Sequence, residues 1–131
     1  MSTQATFVAP STGLSMPYQS IVDALYTAAD NSVHLVPNTD LDLRFASKAA
    51  YTFSVATNNM QVYVYGAIKS DFSDEAIIST MTISAGTTFS WQGNQGPTLT
   101  GGIPMYPYVR VKTQNTTAGL NGATTVNGWA I

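Results

Sequence analysis

The sequence predicts an all-β protein: an antiparallel β-sandwich, jelly-roll-like, of about eight strands. Three observations carry this. From Val33 to the C-terminus, apolar and polar side chains alternate with a period of two. Clusters of Asn, Asp, Ser and Gly break the alternation into short runs. Only one earlier segment has the spacing of a helix.

Residues 1–16 are polar and rich in Ser and Thr, with Pro10 and Gly13, and read as an extended N-terminal arm or loop, either mobile or docked on a partner. Residues 17–29 predict a short helix. Pro17 suits the first turn, Ser15 lies close enough to cap, and Tyr18, Ile21, Val22, Leu25 and Ala29 recur at intervals of three and four. Together with everything that follows, this helix is assigned to a single β-sandwich domain, 17–131, a length that suits one core.

The strands follow in order. Val33–Val36 ends at Pro37. Leu41, Leu43 and Phe45 alternate with Asp42 and Arg44. Tyr51, Phe53 and Val55 alternate with Thr52 and Ser54. Val62 and Val64 alternate with Tyr63 and Tyr65. Ile77, Ser79, Met81 and Ile83 share one face, Phe89 and Trp91 flank Ser90, and Val109 and Val111 alternate with Arg110 and Lys112. Thr125, Asn127 and Trp129 close the pattern. Thr57-Asn58-Asn59 and Asn121-Gly122 have the chemistry of hairpin turns, Asp71–Glu75 fills another connection, and Ser84-Ala85-Gly86 is a tight turn. Residues 92–105, with four glycines and two prolines, form the longest irregular stretch.

Composition bounds the function. Asp, Glu, Lys and Arg make up 9% of the chain, against about 25% in an average soluble domain. Thr, Ser, Asn, Gln and Gly take their place. A surface so poor in charge fits a protein packed against neighbours, because interface centres are depleted in Lys, Glu and Asp; a secreted or polar-surfaced domain is the competing reading. The five basic residues are scattered and the net charge is −2, which argues against nucleic acid. No apolar run is long enough to span a bilayer, and Met1–Thr6 lacks the charged and apolar regions of a signal peptide.

Catalytic chemistry has little to build on. There is no cysteine and one histidine, His34, which the alternation places in a strand opposite Val33 and Leu35; a satisfied strand histidine explains it. Asp40 with Asp42, and Asp71 with Asp74 and Glu75, are the only grouped carboxylates. The second group sits among serines, where aspartate shapes turns through its own side chain. The sequence therefore predicts a non-enzymatic protein with no cofactor and no metal.

The aromatics point to contact surfaces. Tyr63 and Tyr65 share the face opposite Val62 and Val64. Tyr106 and Tyr108 are expected on the face of Arg110 and Lys112. With Phe7 on the arm and Trp91, these residues (Phe7, Tyr63, Tyr65, Trp91, Tyr106, Tyr108 and Arg110) are the candidate protein interface, since Tyr, Trp and Arg anchor interfaces. Cover by the protein's own arm or helix competes with that reading. So does a glycan-binding module, as on a phage tail or adhesin, that uses Trp91, Tyr106 and the 92–105 loop as a stacking platform.

The order Met60-Gln-Val-Tyr-Val-Tyr-Gly66, an acidic loop, Ile77-Ile-Ser-Thr-Met-Thr-Ile83, Ser84-Ala-Gly-Thr-Thr88 and Tyr106-Pro-Tyr-Val-Arg-Val-Lys-Thr-Gln-Asn-Thr-Thr117 resembles the β-sandwich modules of tailed-bacteriophage virion proteins, particularly capsid decoration (cement) proteins. The resemblance covers about half of the chain. It implies a virion protein on the capsid surface that binds the major capsid protein lattice, often as a homotrimer, and reinforces the shell. Arms such as residues 1–16 reach neighbouring subunits in such proteins.

Overall fold

The computed structural model describes residues 18–46, 49–92, 106–117 and 122–131. The proposed arm and Phe7 lie outside them. The described residues form nine strands: β1 (Gln19–Ala28), β2 (Val33–Leu35), β3 (Leu41–Asp42), β4 (Ala49–Val55), β5 (Met60–Ala67), β6 (Ala76–Ile83), β7 (Thr88–Gln92), β8 (Tyr108–Asn115) and β9 (Gly122–Ala130). One sheet has the order β1-β9-β4-β7. The other has the order β2-β8-β5-β6, with β3 also on β8. All pairings are antiparallel. If β2 and β3 count as one interrupted strand, the orders become 1-8-3-6 and 2-7-4-5, which is the jelly roll.

The inward faces meet in one core. Tyr51, Phe53, Met60, Val62, Val64, Val109, Val111 and Val126 are fully buried. Alternation brings them there: β8 reads half-buried and buried in strict turn from Tyr108 to Asn115. Polar groups within the core are paired. The Thr113 and Thr124 hydroxyls lie 2.8 Å apart across the two sheets. The Thr39 hydroxyl donates to the Val36 carbonyl at 2.8 Å and accepts from the Val111 N–H at 3.1 Å.

The expected helix over residues 17–29 is instead strand β1 over Gln19–Ala28. The physical reason is a bulge. β1 pairs with β9 regularly except between Ile21 and Ala24, where Asp23 takes a φ of 51° and its N–H binds the Asn127 Oδ1 at 2.9 Å. The extra residue moves the inward positions from Ile21 to Ala24 and Tyr26, so a strand acquires the three-residue step of a helix. Val22 is left 75% exposed.

Two expected hairpins are also corrected. Thr57-Asn58-Asn59 joins β4 to β5, and Asn121-Gly122 precedes β9 after β8, yet in each case the two strands belong to different sheets. The first connection crosses the sandwich, and residues 118–121 of the second lie outside the described ones. Among the described consecutive strands, only β5 and β6 pair with each other, through the Asp71–Glu75 connection. Phe45 does not continue the pattern of Leu41 and Leu43, because β3 ends at Asp42 and the chain turns at Arg44–Phe45.

Candidate functional site

The outer face of the five-stranded sheet holds most of the predicted interface residues. β5 contributes Tyr63 and Tyr65, and β8 contributes Tyr108, Arg110 and Lys112, with Tyr63 opposite Lys112 and Tyr65 opposite Arg110. The connection after β5 folds back over them. Asp71 Oδ1 accepts the Ser73 N–H at 3.0 Å, and the Asp74 carboxylate accepts the N–H groups of Ile68 and Lys69 at 3.2 Å. These aspartates shape a turn, as their setting predicts. The turn holds Phe72 at a φ of 60° and buries its ring, a backbone conformation that a bulky residue seldom adopts.

Phe72 sits under the Arg110 guanidinium, 4.2 Å from the ring centre, and edge-on to Tyr108 at 6.4 Å. Arg110 donates to Glu75 Oε1 at 3.0 and 2.7 Å, and Lys112 donates to Glu75 Oε2. The Lys112 ammonium also lies 4.4 Å over Tyr65. Arg44 covers Tyr108 at 5.4 Å while held by Asp42 at 2.7 Å. The Tyr63 hydroxyl lies 2.5 Å from the side-chain oxygens of both Gln61 and Gln114. Each of these predicted contact residues thus has a partner within its own chain.

Glu75 ties the cluster together. Burial raises its carboxyl, but Lys112 and Arg110 together outweigh burial and hold it below its ordinary value of 4.5. Because the folded value is depressed, the stability this group contributes is fully present above about pH 4.5 and is lost as pH falls through the folded value. Glu75→Gln is expected to cost about 1–3 kcal/mol at neutral pH, since two cations lose their common anion. Urea midpoints from about pH 3 to about pH 7 should show the gap to wild type closing on the acid side. A gap constant with pH would show that the carboxylate charge is not what holds the cluster.

The other candidates lie elsewhere. Tyr106 does not share the face of Tyr108. Its ring packs inward against the core, directly over Gly66, because Pro107 intervenes before β8 begins. Trp91 belongs to the four-stranded sheet and also turns inward, its ring 5.6 Å from that of Tyr51. These two rings therefore form no open stacking platform, and residues 93–105 lie outside the described ones. His34 faces inward from β2, stacked on Tyr26 at 5.0 Å, with its Nε2 2.6 Å from Asp30 Oδ1. That hydrogen bond, followed by the Ser32 N–H, lowers the Asp30 carboxyl. Among the described residues, no three His, Asp or Glu side chains converge on a metal-sized site. A concavity of about 210 Å³ lined by Asn31, Gln61, Gln114, Asn115 and Thr116 contains no ionisable side chain.

Two further surfaces have no signal in residue type alone. The first is one end of the sandwich, where β1 begins, β9 ends, and the connections after β3 and β5 emerge. Phe45 and Ile68 are 72% and 70% exposed there, beside exposed Tyr18, Trp129 and Ile131. Gln19 pins the two sheets together at this end: its side chain both donates to and accepts from the Asp42 backbone. At the opposite end, the described turns 29–32, 56–59, 84–87 and 116–117 contain no large apolar residue.

The second surface is the outer face of the four-stranded sheet. Its rows follow from the register: Leu25–Thr125–Ser54–Thr88, then Asn127–Thr52–Ser90, then Ser20–Trp129–Ala50. Of the described charged residues, only Asp23, in the β1 bulge, belongs to this sheet.

No family model matches this sequence, and no curated protein does. Among solved structures, the fold is similar to that of the PBSX exported protein XepA, with 15% identity and a TM-score of 0.54 over 95% of this chain; this chain spans 40% of the length of that one. A chain from Bacillus endospore appendages, a novel family of disulfide-linked pili, matches with 10% identity and a TM-score of 0.49 over 95% of this chain and 97% of that one. A chain of infectious bursal disease virus, Gx strain, matches with 13% identity and a TM-score of 0.37, covering 87% of this chain and 30% of that one. The likeness to XepA is one of fold.

Proposed function

We propose that this chain is a non-enzymatic structural protein of a virion, a decoration protein that docks on the major capsid protein lattice at the capsid surface. The observation that carries the reading is the polarity of the sandwich: exposed Tyr18, Phe45, Ile68 and Ile131 gather at one end, and the described turns of the other end contain no large apolar residue. Scattered apolar side chains are normal on a protein surface, but a gathered set marks a contact site. Docking by one end leaves the long sheet faces free to meet neighbours. The jelly roll recurs in viral capsid proteins, though also in lectins and cupins, and the resemblance of residues 59–117 to cement proteins points to the first of these.

The test is attachment to shells stripped of the protein. Phe45→Asp and Ile68→Asp, both at exposed positions, should leave thermal unfolding unchanged and reduce bound copies per shell at least about tenfold, the scale of losing about 1.4 kcal/mol of contact. Full attachment of the double variant would eliminate this end as the docking surface.

A further inference from the structure

We infer that the charge-poor outer face of the four-stranded sheet is the contact for a second copy of this chain, packed sheet on sheet about a two-fold axis that runs along the strands between β9 and β4. Three observations select a second copy over a different partner. Beside the exposed apolar Leu25 and Trp129, the described side chains of the face are hydroxyls, the Asn127 carboxamide and the Ala50 methyl, and every hydroxyl both donates and accepts, so the polar part of the surface is complementary to itself. No fixed charge at its centre demands an opposite charge from another protein. Among the described residues, the hydroxyls of Ser20, Thr52, Ser90 and Thr125 have no side-chain partner within the chain, whereas the tyrosines and cations of the other sheet's outer face are all engaged.

The register then fixes what meets what. Trp129 lies beside Ala50, Asn127 beside Thr52 and Thr125 beside Ser54. A two-fold axis between these strands exchanges β9 with β4 at the same height. Trp129 therefore meets Ala50 of the second copy, a large ring against the smallest side chain of the row, while Asn127 meets Thr52 and Thr125 meets Ser54, each a donor-acceptor pair. Two sheets packed this way sit about 10 Å apart, with their strands within about 30° of one another. The axis also leaves both apolar ends pointing the same way, which is compatible with docking on a shell without depending on it.

The size of the face sets the strength. Four strands at about 4.8 Å spacing and seven residues at about 3.4 Å give roughly 450 Å² per copy. Two such faces bury about 900 Å², below the roughly 1,200 Å² at which stable specific interfaces begin and within the range of transient ones. The association is therefore weak and reversible, and it is two-fold where the cement-protein resemblance implies three.

Sedimentation of the purified chain over a concentration series reaching the millimolar range tests this directly. Wild type should pass from monomer to dimer. Thr52→Lys, which sets two cations against each other across the axis, should leave only monomer. Trp129→Ala should weaken the dimer at least about tenfold, the scale of a lost interface anchor. Thr82→Lys, exposed on the other sheet, should dimerise like wild type. A chain that stays monomeric throughout, a trimer, or a dimer indifferent to Thr52→Lys would overturn the assignment. No shell is present in this experiment, so its failure is separate from failure of capsid docking.

Discussion

Tyr51→Ala is expected to lower the unfolding free energy by about 3–5 kcal/mol, the range for removing a buried aromatic. That is a large share of the 5–15 kcal/mol that typically holds a domain together. Tyr51 is fully buried, its ring contacts those of Phe53 and Trp91, and its hydroxyl donates to the Thr39 carbonyl at 2.5 Å. It thereby ties β4 of one sheet to the corner between β2 and β3 of the other. Burial, with a smaller contribution from Asp40, pushes the phenol well above its ordinary value, so it stays a neutral donor at any working pH. Tyr51→Phe separates the two roles. Removing only the hydroxyl leaves the Thr39 carbonyl without this donor in the core, at about 1–3 kcal/mol. Denaturant melts of the two variants measure both. A Phe variant within about 0.5 kcal/mol of wild type would show that the inter-sheet hydrogen bond contributes nothing.

Gly66→Val is expected to destabilise by about 3 kcal/mol, at the upper end for overpacking. A Cβ at Gly66 would lie 2.5 Å from Tyr106 Cγ and 2.9 Å from Tyr106 Cβ, and neither atom is the far end of a flexible chain. The clash makes its own control. Tyr106→Ala should itself destabilise, because the ring packs on the core, but in that background Gly66→Val should be nearly neutral. The expected coupling is at least about 1 kcal/mol, as for residues in direct contact. Additive effects in the double variant would mean that Tyr106 does not lie over Gly66.

These two sites show why parts of the molecule were legible in sequence and parts were not. Val62, Val64, Val109 and Val111 announce their burial through alternation, and the structure buries all four. Tyr106 breaks the same rule: Pro107 separates it from β8, and it turns inward while Tyr108 turns out. In β1, one bulged residue converts a two-residue rhythm into an apparent helical one. The turn at Asp71–Glu75 was readable from its own side chains. What it covers was not, because Phe72, Arg110 and Tyr108 are brought together only by the pairing of β5 with β8.

The sequence by itself determined the class of fold, the inward-facing residues of most strands and the poverty of charge, because each depends on residue type and local spacing. The tertiary structure decided which strands share a sheet, and so where the few charges went. Hairpin-type turns that cross between sheets, and a bulge held by Asn127 from another strand, are settled by partners far away in the chain. For that reason the charge-poor face and the apolar end, which are properties of strands laid side by side, have no counterpart in the linear pattern.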